Sequence, residues 1–197
     1  LLVTISFLLH IVDSKFRSLT PSDRISQTVV IHNDFIQNSL ISKALGNAPW
    51  IDILDKCTVN SPEQHELEQA AATGIGNARS LASIFSLLVN GRIVSDKTLT
   101  LLKKPFVNGT DLALKGDTIK GHGFFFYPPL GKFEKDLMMG HPGHGCQQVM
   151  FDMKNRIAFA YVTNGLKLGI YDLCRNYARL QKALYEVLDA QAVEPSQ

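Results

Sequence analysis

The chain has 197 residues, of which 45% are apolar, 19% charged and 9% aromatic, an ordinary globular composition with enough length for one sizeable core. Its 20 basic and 18 acidic residues leave a net charge of only +2, which excludes the basic face of a nucleic-acid binder and the charge-rich, apolar-poor composition of a disordered chain. The 3 cysteines, Cys57, Cys146 and Cys174, lie far apart with no CxxC pair, so neither structural zinc nor a disulfide-stapled secreted framework is expected.

The chain opens on an apolar run, LLVTISFLLHIV. It is shorter than the roughly 20 residues that span a bilayer, and no basic flank or small-residue cleavage site accompanies it. Residues 1–17 are therefore read as a buried helix, and no membrane span is expected anywhere. Residues 18–75 are irregular, with a candidate strand at Val29, Val30 and Ile31, a candidate short helix over 35–45, and Trp50 as a core or lid anchor. Asn60, Ser61, Pro62 and Glu63 read as a loop leading into a turn.

The pattern sharpens after Gly76. Asn77 is a helix cap, and Leu81, Ile84, Phe85 and Leu88 follow at helical spacing. Asn90 and Gly91 stop that helix, which is placed at 78–89. Ser95 and Asp96 cap a second, short helix carrying Leu99 and Leu102, ended by Pro105. Asn108, Gly109 and Thr110 form a glycosylation sequon, read as a glycine-bearing loop.

Three strands follow, at 123–127 (GFFFY), 145–152 and 156–163. In the first, Phe124, Phe125 and Phe126 must alternate between the two faces. The last two are separated by three residues and predict an antiparallel hairpin. RIAFAYVT is nearly continuous in apolar character and reads as the central strand. Asn164 and Gly165 end it, and a closing helix carries Leu173, Tyr177, Leu180, Leu184 and Leu188 on one stripe. Helices and strands are segregated, so the class is α+β. Residues 1–190 form one domain and 191–197 a flexible tail.

Reactive side chains are densest in Gly140, His141, Pro142, Gly143, His144, Gly145 and Cys146. Glycines at this density let backbone N–H groups approach a ligand closely. A metal reading is poor, because His141, His144 and Cys146 on one glycine turn make an incomplete tetrahedral set and no HExxH or HxHxD occurs. A phosphate loop is excluded by the missing GxxxxGK[ST] and by the strand, not helix, that follows. No metal or cofactor is expected.

The run GHPGHGCQQVMFDMKNRIAFAYVTNG resembles the C-terminal part of the serine β-lactamase and penicillin-binding-protein family, in its class C-like, animal β-lactamase-related branch. The family's third box, [K/H/W]-x-G on an edge strand, is matched by His141, Pro142 and Gly143. Its hairpin signature is matched by Asp152, Ile157, Tyr161 and Asn164. Upstream, Gly74 to Ala82 and the ending Leu88, Val89, Asn90, Gly91 resemble a family helix with its lead-in. The resemblance covers residues 60–188.

It implies the C-terminal portion of a β-lactamase/transpeptidase-like fold, an antiparallel sheet packed with helices, of which this chain supplies three strands. It implies acyl transfer on an amide, ester or lactam carbonyl, with a small-molecule or peptide as substrate. His141 would take the position where lysine is common, able to donate but only partly charged near neutral pH. The His144 N–H would be half of an oxyanion hole, beside Gly143. Pro142 and Gly145 would line the substrate side, with Pro142 bringing no hydroxyl for a substrate carboxylate. No lysine has a serine three residues before it, and no tyrosine or serine has an asparagine two residues after it. Both other boxes, Ser-x-x-Lys and Tyr-x-Asn, are absent. The expectation is a chain that begins just after the second box and is inactive alone; a self-associating scaffold is the competing expectation. A sheet that failed to unite 121–127, 145–152 and 156–163 would make the match accidental.

Overall fold

The computed structural model describes residues 58–68, 74–114, 116–130, 137–165, 167 and 170–193. The expected opening helix, the candidate elements at 29–31 and 35–45, and Trp50 lie outside them.

Ser61 accepts a hydrogen bond from the Gln64 N–H and starts a short helix, α1 (Pro62–His65), where only a loop and turn were expected. Proline at the first helical position costs nothing there, since that N–H has no intrahelical partner. Helix α2 (Ala78–Val89) begins at Asn77, whose side-chain oxygen accepts from the Ser80 N–H at 2.9 Å. It ends at Gly91, which takes the left-handed conformation (φ 68°) that glycine adopts without steric cost. Leu81, Phe85, Leu88 and Val89 are its buried face, while Ile84, expected among them, is exposed. Helix α3 (Asp96–Leu102) starts at its Ser95 cap and buries Leu99.

Six strands then form one antiparallel sheet in chain order: β1 (Val107–Thr110), β2 (Asp117–Lys120), β3 (Phe125–Tyr127), β4 (Met138–Pro142), β5 (Gln148–Asp152) and β6 (Ile157–Tyr161). The expectation of three strands is corrected to six. The three expected runs do lie in one sheet, with β4 inserted between the first and the second. β1, β2 and β4 escaped notice because VNGT, DTIK and MMGHP are short, polar or broken by glycine and proline, and so lack strand periodicity. The sequon accordingly lies in β1, with exposed Asn108 opposite Ile119.

The central strand is also reassigned. β5 is buried at all five positions; β6 is half-buried throughout and, among the described residues, ends the sheet order. Strand alternation sorts the core into two layers. Met139, Val149 and Phe151 join Leu81, Phe85, Leu88 and Phe126 on the α2 side. Met138 and Met150 join Tyr171, Tyr177 and Tyr185 on the side of the closing helix α4 (Arg175–Val193). Of the expected stripe, Tyr177 is buried and Leu184 and Leu188 are half-buried, while Leu173 and Leu180 are exposed; Gln181 and Tyr185 are the buried residues of α4 that the stripe left out. α4 continues to Val193, past the expected start of the tail at residue 191. Among the described residues no helix is long and apolar enough to cross a membrane.

Candidate functional site

β4 delivers His141 and Pro142 to the end of the sheet, and the chain then reverses through a one-turn 3-10 helix (His144–Cys146) into β5. The reversal runs through two successive left-handed residues, Gly145 (φ 75°) and Cys146 (φ 69°). Only the first is a glycine.

The turn is braced from several directions. The Gly143 N–H donates to the Gln147 carbonyl at 2.5 Å. The Gly145 carbonyl accepts from the Lys167 N–H at 3.3 Å. The buried Gln147 amide donates to the Thr163 carbonyl (2.7 Å) and accepts from the Thr163 N–H (2.8 Å), which stitches the turn to the segment leaving β6. A disulfide joins Cys146 to Cys174, the residue that opens α4. That bond corrects the expectation drawn from the odd cysteine count: two of the three pair, and nothing in their spacing announces it. Cys146 is thereby removed as a free thiol or metal ligand. Among the described residues no group of three His, Cys, Asp or Glu could hold a metal ion.

His141 is half-buried. Its Nδ1 lies 2.7 Å from the Pro142 carbonyl oxygen and must donate to it, which leaves Nε2 as the unprotonated nitrogen of the neutral ring. Burial pushes its pKa below the ordinary imidazole value; the bond to Pro142 opposes this, and the Lys120 ammonium adds to the lowering. The ring is therefore mainly neutral near pH 7 and carries less charge than a free imidazole would. The Phe125 ring meets His141 edge-on, 5.1 Å between centroids. Lys120 sits over the other side of Phe125, 4.9 Å from its centroid, and is paired with the Asp111 carboxylate. That hydrogen-bonded pairing, foremost, holds the Asp111 pKa below the usual range.

Of the remaining anticipated residues, Pro142, Gly143 and Gly145 are buried. The backbone of His144 forms the first position of the 3-10 turn. Phe125, Gln147 and Cys174 were not anticipated as partners of this segment. For Phe125 the alternation of the GFFFY run was a usable signal: Phe126 is buried against α2, Phe124 packs beside it, and Phe125 is the one that reaches His141.

The Beta-lactamase family model matches residues 33–183. This chain belongs to the β-lactamase family. Two solved structures superpose on part of the chain. A penicillin-binding-protein homologue from Caulobacter crescentus superposes with a TM-score of 0.50 at 22% identity, over 56% of this chain and 32% of that one. A family VIII carboxylesterase superposes with a TM-score of 0.48 at 21% identity, over 55% and 31%. The chain thus spans about a third of the length of either structure. No curated protein matches the sequence. The β-lactamase family is one of serine hydrolases, and the helix α2, the hairpin β5–β6 and the turn after β4 all fall inside the matched residues.

Proposed function

We propose that these residues carry the third-box side of an acyl-transfer site, acting on an ester, amide or lactam carbonyl, and that the 197 residues do not turn over substrate by themselves. The observation that carries the reading is the turn at 143–146, whose backbone is held from Gln147, Lys167 and Cys174. A polar backbone that need not reorganise is what stabilises a developing oxyanion. The His144 N–H is the donor we assign to that role. His141, neutral and with Nε2 unprotonated, suits a hydrogen-bond acceptor in the proton network better than a cation for a substrate carboxylate. Pro142 contributes no hydroxyl to such a carboxylate either. Both features favour uncharged esters or amides over carboxylate-bearing β-lactams. Nucleophile and base act as a unit, and neither Ser-x-x-Lys nor Tyr-x-Asn occurs in the sequence.

The test is hydrolysis of p-nitrophenyl butyrate and nitrocefin, together with fluorophosphonate labelling. The 197-residue chain is expected to show no turnover above buffer and no label; turnover would overturn the inactive half of the reading. In a polypeptide that carries both missing boxes ahead of these residues, His141→Ala is expected to lower kcat at least about tenfold on the ester. An unchanged kcat would remove His141 from the site.

A further inference from the structure

We propose that Cys146–Cys174 is a thiol–disulfide exchange site that sets the shape of the turn at 143–146, opened by a dithiol reductant and closed by its oxidised form. Three features of the surroundings favour the reduced state or the route to it.

The first is the backbone. Cys146 holds a left-handed φ of 69°, a conformation that is unfavourable for a residue with a Cβ. Tyr171, whose carbonyl accepts from the Cys174 N–H at 3.0 Å, is likewise left-handed at 49°. The bond thus joins a left-handed residue to one hydrogen-bonded to a second left-handed residue.

The second is Gln148. This side chain is 1% exposed, its Nε2 lies 3.3 Å from the Cys174 Sγ, and its Oε1 has no hydrogen-bond partner among the described residues. A disulfide sulfur is a weak acceptor and donates nothing. A thiolate at Cys174 is a stronger acceptor for Nε2 than a disulfide sulfur is.

The third is access and charge. Both cysteines are nearly buried but line a surface cleft of about 250 Å³ together with Tyr161, Lys167, Arg175 and Asn176. Lys167 and Arg175 attract an incoming thiolate. The Cys174 carbonyl accepts from the Ala178 N–H at 2.9 Å, so Cys174 stands at the N-terminus of the 19-residue α4, where the helix dipole stabilises a thiolate.

Cys174 is therefore the better leaving group. One thiolate of the reductant attacks the Cys146 Sγ and releases Cys174 as a thiolate, which takes up a proton. The second thiolate of the reductant attacks its own sulfur in the mixed disulfide, releases Cys146 and leaves as an intramolecular disulfide. Two electrons and two protons pass to the protein. Cys146 is then free to leave its left-handed conformation. That this displaces an oxyanion donor rests on the acyl-transfer reading above; the exchange itself does not.

The experiment treats the native 197-residue chain with dithiothreitol, alkylates with N-ethylmaleimide and counts adducts by intact mass. Two more adducts are expected after reduction than before it. Hydrogen exchange of amides at 143–148 is expected to rise at least tenfold on reduction, with that at 81–89 unchanged. A bond that yields only in urea, or exchange indifferent to reduction, overturns the proposal. In Cys146→Gly, whose glycine accepts the same φ, exchange at 143–148 should no longer respond to dithiothreitol; a persisting response also overturns it. None of these readouts requires catalysis, so they stand apart from the failure of the acyl-transfer reading, which ester turnover reports.

Discussion

His141, near the end of β4, carries a ring that its surroundings hold toward the neutral form. Its charge state follows from burial, which costs the imidazolium its hydration, with the nearby Lys120 acting in the same direction. The consequence for stability has a definite sign. The folded ring resists the proton that the unfolded ring binds below about pH 6.5. The unfolded state therefore binds more protons in that range, and stability falls as the pH drops through 6.5. Urea unfolding between pH 5 and 7.5 should show a steeper loss toward acid in the parent than in His141→Gln, and the His141 ring resonances should titrate below 6.5. Parallel curves for the two proteins would contradict this. Whether the ring is charged was not legible in GHPGHG, because a motif names the imidazole and leaves out the strands that bury it.

Among the elements, the β5–β6 hairpin shows best how sequence and environment combine. Asp152 ends β5, and its carboxylate accepts from the backbone N–H groups of Lys154 (2.8 Å) and Asn155 (3.0 Å), from the Asn155 amide (2.6 Å) and from the Tyr185 hydroxyl of α4 (2.7 Å). Burial alone would raise its pKa; the bonds from Asn155, Tyr185 and Lys154 outweigh burial and hold it below the ordinary carboxylate value. One side chain thus closes the turn and ties the hairpin to the closing helix. Asp152→Ala removes the acceptor of all four hydrogen bonds and is expected to cost about 3 kcal/mol in urea unfolding; a loss below about 1 kcal/mol would make the cap incidental. The hairpin itself was visible from two apolar runs three residues apart. The Tyr185 contact was not, since it bridges 33 residues. α4 carries the same lesson. Its leucines looked like the buried stripe, yet Gln181 is buried because it accepts from the Leu130 N–H at 2.9 Å and donates to the Tyr177 hydroxyl at 2.5 Å. A polar residue is at home in a core once its partners are there.

Across the described residues the sheet is the partition between two cores, and Phe85 joins α2 to it together with Leu81, Leu88 and Val89. Its ring stacks on Phe151 at 5.3 Å between centroids and meets Phe124 edge-on at 6.1 Å. Phe85→Ala removes both contacts from a site that is 5% exposed, and is expected to cost about 4 kcal/mol. If the melting of this variant matched the parent, the α2 side would not be a cooperative part of the fold. The opposite face depends on aromatic hydroxyls and a disulfide, so the two cores are stabilised by different means.

Local periodicity, capping chemistry and motif spacing, all present in the sequence, determined the position of α2 and α3, the hairpin, the α+β class and the kinship with β-lactamases. Each of these rests on residues within a few positions of one another. The tertiary structure decided the sheet order β1 to β6, the identity of β5 as its buried strand, the pairing of Cys146 with Cys174 and the neutrality of His141. Each of those depends on which distant segment lies alongside, and strand pairing, disulfide pairing and desolvation are properties of that juxtaposition rather than of any single stretch of chain.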